Sequence, residues 1–118
     1  MSDYEIKKAD RLLRRKEFLR LSQNGKQVHY RHFIIRFASN DVERPRLGIT
    51  VTKKVGNAVI RNRLKRFVRE FFRLNRHRLD NHWDLVIIAK RPAAGLNSKQ
   101  TFNLLAKLFD HIPGNVDD

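Results

Sequence analysis

The stretch 53–73 reads KKVGNAVIRNRLKRFVREFFR, and its pattern decides the fold. Eight of its 21 residues are Lys or Arg, and Glu70 is its only acid. The charges are spaced for a helix. At about 100° per residue, Ile60, Leu64, Phe67, Val68 and Phe71 share one face. Arg61, Lys65 and Arg69 form a ridge at i, i+4 and i+8 on the opposite side, with Asn62, Arg66 and Arg73 beside it. Asn57 follows Gly56 and has the chemistry of an N-cap, which predicts a helix over 57–75. One face of that helix suits a core and the other suits a polyanion. Like charges at i, i+4 destabilise a helix by a few tenths of a kcal/mol per pair, roughly; a bound phosphate backbone offsets that cost.

A basic helix face is more often only a solvated one. Three features favour a ligand here. Acids are nearly absent from the face. Lys53 and Lys54 add charge at the helix entrance. Asn62 offers a donor and an acceptor among the arginines, which solubility alone does not require.

Working outward, residues 47–53 read as a strand with Leu47, Ile49 and Val51 on one side and the small Gly48, Thr50 and Thr52 on the other. Residues 83–90, WDLVIIAK, form a continuous apolar run of the kind buried inside a sheet, ended by Arg91-Pro92. The intervening 75–82 is a polar basic connection. Residues 28–38 are rich in β-branched and aromatic types. Period two puts His29, Arg31, Phe33, Ile35 and Phe37 on one face, and Tyr30, His32, Ile34 and Arg36 on the other. A break near His32 suggests two strands or a bent one. Residues 16–24 form a short helix stopped by Gly25. Ser98 caps a last helix to about Ile112, with Phe102, Leu105, Phe109 and Ile112 on its apolar side. The order is α-β-β-β-α-β-α, an α+β sandwich with helices over a mixed four-stranded sheet.

With 118 residues the chain is one domain. We expect a single domain over 1–118, loose at about 1–10 and 113–118, with Leu12 and Leu13 packing the arm. Twenty-six Lys and Arg against 12 Asp and Glu give a net charge of +14, which calls for a polyanionic partner. No cysteine is present, so disulfides and thiolate metal sites are excluded. No apolar run approaches the roughly 20 residues that span a bilayer. The N-terminus lacks a secretory apolar region, and the expected localisation is cytoplasmic.

Self-contained catalysis finds little support. A metal-dependent nuclease needs converging carboxylates, whereas Asp41, Glu43, Glu70, Asp80 and Asp84 are scattered. A metal-free nuclease would want paired histidines with a lysine, but His29 and His32 fall on opposite faces of a strand and His77 and His82 in a loop region, so no catalytic residue is assigned. An amphipathic helix can also bind membranes, but the apolar face of this one is needed by the core. Structured RNA fits best: Arg and Lys for phosphates, Asn for a polar contact, and Phe18 and Tyr30 as platforms for unpaired bases. Phe18 is balanced between that role and a core position.

The run Lys53-Lys54-Val55-Gly56-Asn57-Ala58-Val59, followed by Arg61-Asn62-Arg63-Leu64-Lys65-Arg66, resembles the RNR signature of the protein subunit of bacterial ribonuclease P. Arg11-Leu12, Phe18 and Gly25, then residues 47–52 and 87–93, extend the resemblance over most of the chain. It implies a left-handed β-α-β crossover, of the kind in the second domain of a small-subunit ribosomal protein. It implies a ribonucleoprotein endoribonuclease whose catalytic RNA, with Mg²⁺, removes the 5′ leader of precursor tRNA. The partners implied are that RNA and precursor tRNA, with no membrane and no obligate protein partner. The RNA-subunit face would be Lys53, Lys54, Asn57, Arg61, Asn62, Arg63, Lys65, Arg66 and Arg69. The leader cleft would be Phe18, Ile34 and Arg36, with Lys90 nearby. Two departures weaken stacking there and favour charge: Ser22 stands where many relatives carry a second aromatic, and Arg36 where some carry one.

Overall fold

A computed structural model describes residues 14–42, 44–79 and 83–112. The expected looseness of both termini, the packing of Leu12 and Leu13, and the match at Arg11-Leu12 lie outside the described residues, as do Glu43 and Asp80. The elements run α1 (Arg15–Asn24), β1 (Lys26–His29), β2 (Phe33–Ser39), β3 (Arg46–Val51), α2 (Ala58–Asn75), β4 (Trp83–Ala89) and α3 (Ser98–Phe109). Two 3-10 turns, Arg76–Arg78 and Arg91–Gly95, flank β4. The sheet order is β1-β2-β4-β3, antiparallel except for the parallel β3–β4 pair. The architecture is α+β with a mixed sheet, as the pattern of elements predicts.

The helix over 57–75 forms as expected. Asn57 accepts the Ile60 N–H at 3.0 Å, which satisfies an otherwise unpaired donor of the first turn. Leu64, Val68, Phe71 and Phe72 are buried, and Ile60 and Phe67 pack at the margin. They meet Phe33, Ile35 and Phe37 of β2, Leu85 and Ile87 of β4, and Leu105, Leu108 and Phe109 of α3. Phe71 and Phe109 pack edge to face, 4.9 Å between centroids, an arrangement favoured by the ring quadrupoles. This is the main core, on one side of the sheet.

The chain passes from β3 through α2 to β4, and its hand follows from one hydrogen bond. Tyr30 N–H donates to Phe33 O at 2.9 Å, so the Phe33 peptide groups face β1 while its side chain is buried on the α2 side. For an L-residue on an ascending strand, a side chain aimed at the observer places its own peptide groups to the right. Seen from α2 with β3 and β4 ascending, β3 therefore lies right of β4, and the chain crosses leftward. The crossover is left-handed, against the usual rule.

Two local expectations change. His29 pairs with Ile34 and shares its face, not that of Phe33, because the reversal at residues 30–32 resets the alternation. Asn97, not Ser98, caps α3. Its side chain accepts the Gln100 N–H at 2.8 Å, and Gln100 returns the bond to the Asn97 N–H at 3.0 Å.

Candidate nucleic-acid interface

The sheet has two unlike faces. The face away from α2 carries Gln27 and His29 of β1, Ile34, Arg36 and Ala38 of β2, Asp84, Val86 and Ile88 of β4, and Arg46, Gly48 and Thr50 of β3, by the register of the ladders. Helix α1 covers part of it. Leu21 and Val86 are buried in a small second cluster, with Phe18, Ala38 and Ile88 packed around them. Gly25 ends α1 where a Cβ would stand 2.4 Å from Leu21 O and 3.2 Å from Phe37 O. Close approach to backbone therefore requires glycine there, while its backbone is extended rather than left-handed.

Beside that cluster lies a cleft of about 240 Å³. Val86 and Ile88 form its floor. Arg36 of β2 and Thr50 of β3 stand on either side. Arg15, Phe18, Leu19, Leu21 and Ser22 of α1 form its roof. The structure thus brings together Phe18 and Arg36. Phe18 serves both readings weighed for it: it packs on the cluster and lines the cleft. Ile34 sits on the same face, opposite Ile88 in register, but outside the cleft walls. Lys90 also stands apart. Its Nζ lies 2.7 Å from His29 Nε2 and donates to Tyr30 O at 3.4 Å. Arg15, Leu19 and Thr50 were not singled out from sequence. For Thr50, the signal was the small-residue face of its strand.

The orientation of α1 depends on Asp84, fully buried at the second position of β4. Arg46 binds it bidentately, Nε to Oδ1 and one Nη to Oδ2, both at 2.8 Å. Arg20 of α1 reaches Oδ2 at 2.6 Å, and Asn40 donates to Oδ1 at 2.7 Å. Arg46 continues to Glu17 of α1 at 3.0 Å, and Glu17 accepts the Arg14 N–H that starts the helix. The hydrogen bond to Asp84 is the chief reason the Arg46 guanidinium is held above its ordinary pKa, against the opposing effect of burial.

On the far side of the sheet, α2 turns its basic ridge outward. Lys53, Lys54, Asn57, Asn62, Arg66 and Arg69 are exposed, and Arg61 and Lys65 are half-buried. Arg61 Nε donates to Gly56 O at 3.2 Å, which fixes its stem. Arg66 lies over the Phe67 ring at 5.8 Å. Glu70, the one acid of the helix, pairs with Arg73. Arg63 differs from its neighbours. It is half-buried and donates to Ala94 O at 2.9 Å, tying α2 to the turn Arg91–Gly95.

Among the described residues no three His, Asp or Glu side chains converge to hold a metal ion, and no helix is long and apolar enough to cross a membrane.

A family model described as ribonuclease P matches residues 6–113. The chain is 50% identical over 109 residues to the ribonuclease P protein component of Desulfosudis oleivorans, covering 92% of this chain and 90% of that one. It is 43% identical over 116 residues to the corresponding protein of Syntrophus aciditrophicus, covering 98% of each. The solved structure of the Staphylococcus aureus RNase P protein superposes with a TM-score of 0.85 at 33% identity, over 92% of this chain and 99% of that one. The Thermotoga maritima RNase P protein gives 0.81 at 33% identity, over 88% and 98%.

Proposed function

We propose, from the premise that the chain belongs to the ribonuclease P protein family, that it holds RNA on two opposite surfaces. The chain is a protein component of the endoribonuclease ribonuclease P, a ribonucleoprotein subunit of tRNA processing, and associates with the RNA subunit. Our reading assigns the α2 ridge to that RNA and the α1–sheet cleft to the single-stranded 5′ leader of precursor tRNA. The observation that carries it is the cleft itself, with an apolar floor, Phe18 in its roof and the cations Arg15 and Arg36 at its margins. Such a surface takes an unpaired strand, with bases against apolar groups and phosphates against cations. Lys90 and Ile34 extend the same face beyond the cleft. The whole of 1–118 acts as one RNA-binding domain, in the cytoplasm. Mg²⁺ is bound chiefly by the RNA subunit in this reading.

The leader assignment is tested by Phe18→Ala. Precursor tRNA should bind the holoenzyme more weakly by about 1–3 kcal/mol, the worth of one stacked base, while mature tRNA binding stays nearly unchanged. Equal weakening of both ligands would reduce Phe18 to a packing residue.

The ridge assignment is tested with salt. Arg63 spends a terminal Nη on Ala94 O, whereas Arg61 is anchored through Nε, and we assign Lys53, Lys54, Arg61, Lys65, Arg66 and Arg69 to phosphates. Six contacts at about −0.7 to −0.9 each give a slope of log K against log salt of roughly −4 to −5. Arg61→Ala or Arg66→Ala should lower its magnitude by about one unit. Arg63→Ala should leave the slope unchanged and reduce stability instead. Asn62→Ala should weaken binding with little change in slope, since it removes a neutral hydrogen-bonding group. A slope indifferent to Arg61 and Arg66 would leave the ridge merely solvated.

A further inference from the structure

The turn Arg91–Gly95 carries the chain around the end of the sheet, from the cleft face to the α2 face. Lys90 stands before it, two positions after Ile88 and on the same side of the sheet. Its N–H donates to His32 O at 2.9 Å, and its Nζ lies 2.7 Å from His29 Nε2 and 3.4 Å from Tyr30 O. An ammonium has three donors, so these contacts leave one for a ligand. By Ala93 the chain has reached the α2 side: Ala93 is fully buried in the main core, with Ala94 and Leu96 packed against that core. Arg63 of α2 fastens this end by donating to Ala94 O at 2.9 Å. Among the described residues the Arg63 Nε is buried without an acceptor. An unpaired buried donor costs stability, so packing alone does not account for a guanidinium here. Between the two fastenings, Arg91 is exposed.

Resting on the leader reading above, we propose that Arg63 is a positioning residue for the precursor. By holding Ala94 it fixes the course of residues 90–94, and with it the places of Lys90 and Arg91, whose cations meet precursor phosphates beyond the cleft. The span between those cations and the α2 ridge becomes a set dimension of the protein. Without the Arg63 bond the turn keeps Ala93 N–H to Lys90 O and Leu96 N–H to Ala93 O, and 3-10 bonds have poor geometry. A direct phosphate contact is the other use of an arginine in this motif. Half-burial, the buried Nε and the Nη spent on a main-chain carbonyl argue against it.

The test uses the reconstituted holoenzyme and compares its affinities for precursor and mature tRNA. Arg63→Met keeps the apolar stem and removes the donors. The precursor-to-mature affinity ratio should fall by about twofold or more, the lower end of coupling between residues of one network. The salt slope of RNA-subunit binding should stay as it is. Lys90→Ala should lower the same ratio, and the two changes together should cost less than the sum of their separate losses. Pro92→Gly loosens the turn from its exposed side and should lower the ratio even where Arg63→Met does not fold. Equal weakening of both ligands by Arg63→Met makes Arg63 a stabilising residue only and overturns the proposal. A salt slope reduced by about one unit makes it a phosphate contact and also overturns it, as does a ratio indifferent to Pro92→Gly. Failure of the leader reading has a separate signature: the unaltered holoenzyme would then bind precursor and mature tRNA equally.

Discussion

Asp84→Ala should lower the unfolding free energy by about 3 kcal/mol, the low end of the range for removing one partner of a buried ion pair. Asp84 is completely buried, whereas its partners Arg46 and Arg20 are 18% and 39% exposed. The partial exposure lets both guanidiniums regain some water, which sets the low end. For a chain of this length, that loss corresponds to a fall in Tm of roughly 10–20 °C. Asp84→Asn should be nearly as damaging, since its amide would present donors to Arg46, Arg20 and Asn40, all donors themselves. Arg20→Ala should cost much less, because Arg46 still satisfies both carboxylate oxygens. The effect should not depend on pH near neutrality. A guanidinium whose folded pKa is raised contributes its stability below the unfolded value and loses it only as pH climbs past the folded one. Thermal melts of the three variants measure this. A loss under about 1 kcal/mol for Asp84→Ala, the level of an exposed pair, would show that the arginines are content in water and that α1 is held by apolar packing alone.

The Asp84 network marks where the sequence stops being legible. Arg20 and Arg46 are 64 and 38 residues away along the chain, and no local pattern records such a pairing. One signal was available. An acid as second residue of the apolar run WDLVIIA must be paired if the strand is buried, since an isolated buried charge is costly. That argument predicts a cationic partner without naming it. Local physics was far more legible. The 3.6-residue repeat of Ile60, Leu64, Phe67, Val68 and Phe71 located the buried face of α2, missing only Phe72 at its edge. The Asn57 cap set the start of that helix. The cap of α3 was read one residue late, at Ser98, although Asn97 stands three residues before Gln100, the spacing of the capping box that forms.

The candidate site divides in the same way. Arg61, Lys65 and Arg69 were legible as a ridge because one helix carries them all. Arg63 was assigned to the RNA face by the resemblance, and its bond to the Ala94 carbonyl depends on where the turn Arg91–Gly95 folds back. Phe18 and Arg36 belong to different elements, and period two placed Arg36 and Ile34 on one face correctly. It could not say how far α1 would cover that face, so the separation of Ile34 and Lys90 from the cleft emerges only when the helix is in place.

Purified protein without RNA should leave precursor tRNA uncut at any Mg²⁺ concentration. Hydrolysis of a phosphodiester by a protein of this size would need converging carboxylates or a paired acid and base. Four of the five described acids are otherwise engaged, Asp84 by Arg46 and Arg20, Glu17 by Arg46, Glu70 by Arg73, and Asp110 by Arg78, and the fifth, Asp41, is exposed. His29 lies against Lys90, and that lysine stands outside the cleft. The chain's contribution is instead its net charge of +14. Enzyme RNA and substrate RNA repel one another, and divalent cations relieve that repulsion by neutralising phosphates. Fixed cations of the protein act on the same phosphates. Adding the chain to the RNA subunit should therefore shift the Mg²⁺ dependence of cleavage to lower concentration. Arg61→Ala and Arg66→Ala should each move it part of the way back. Cleavage by RNA-free protein that disappears on replacing one acidic residue would overturn this account, because the chemistry would then reside in the chain.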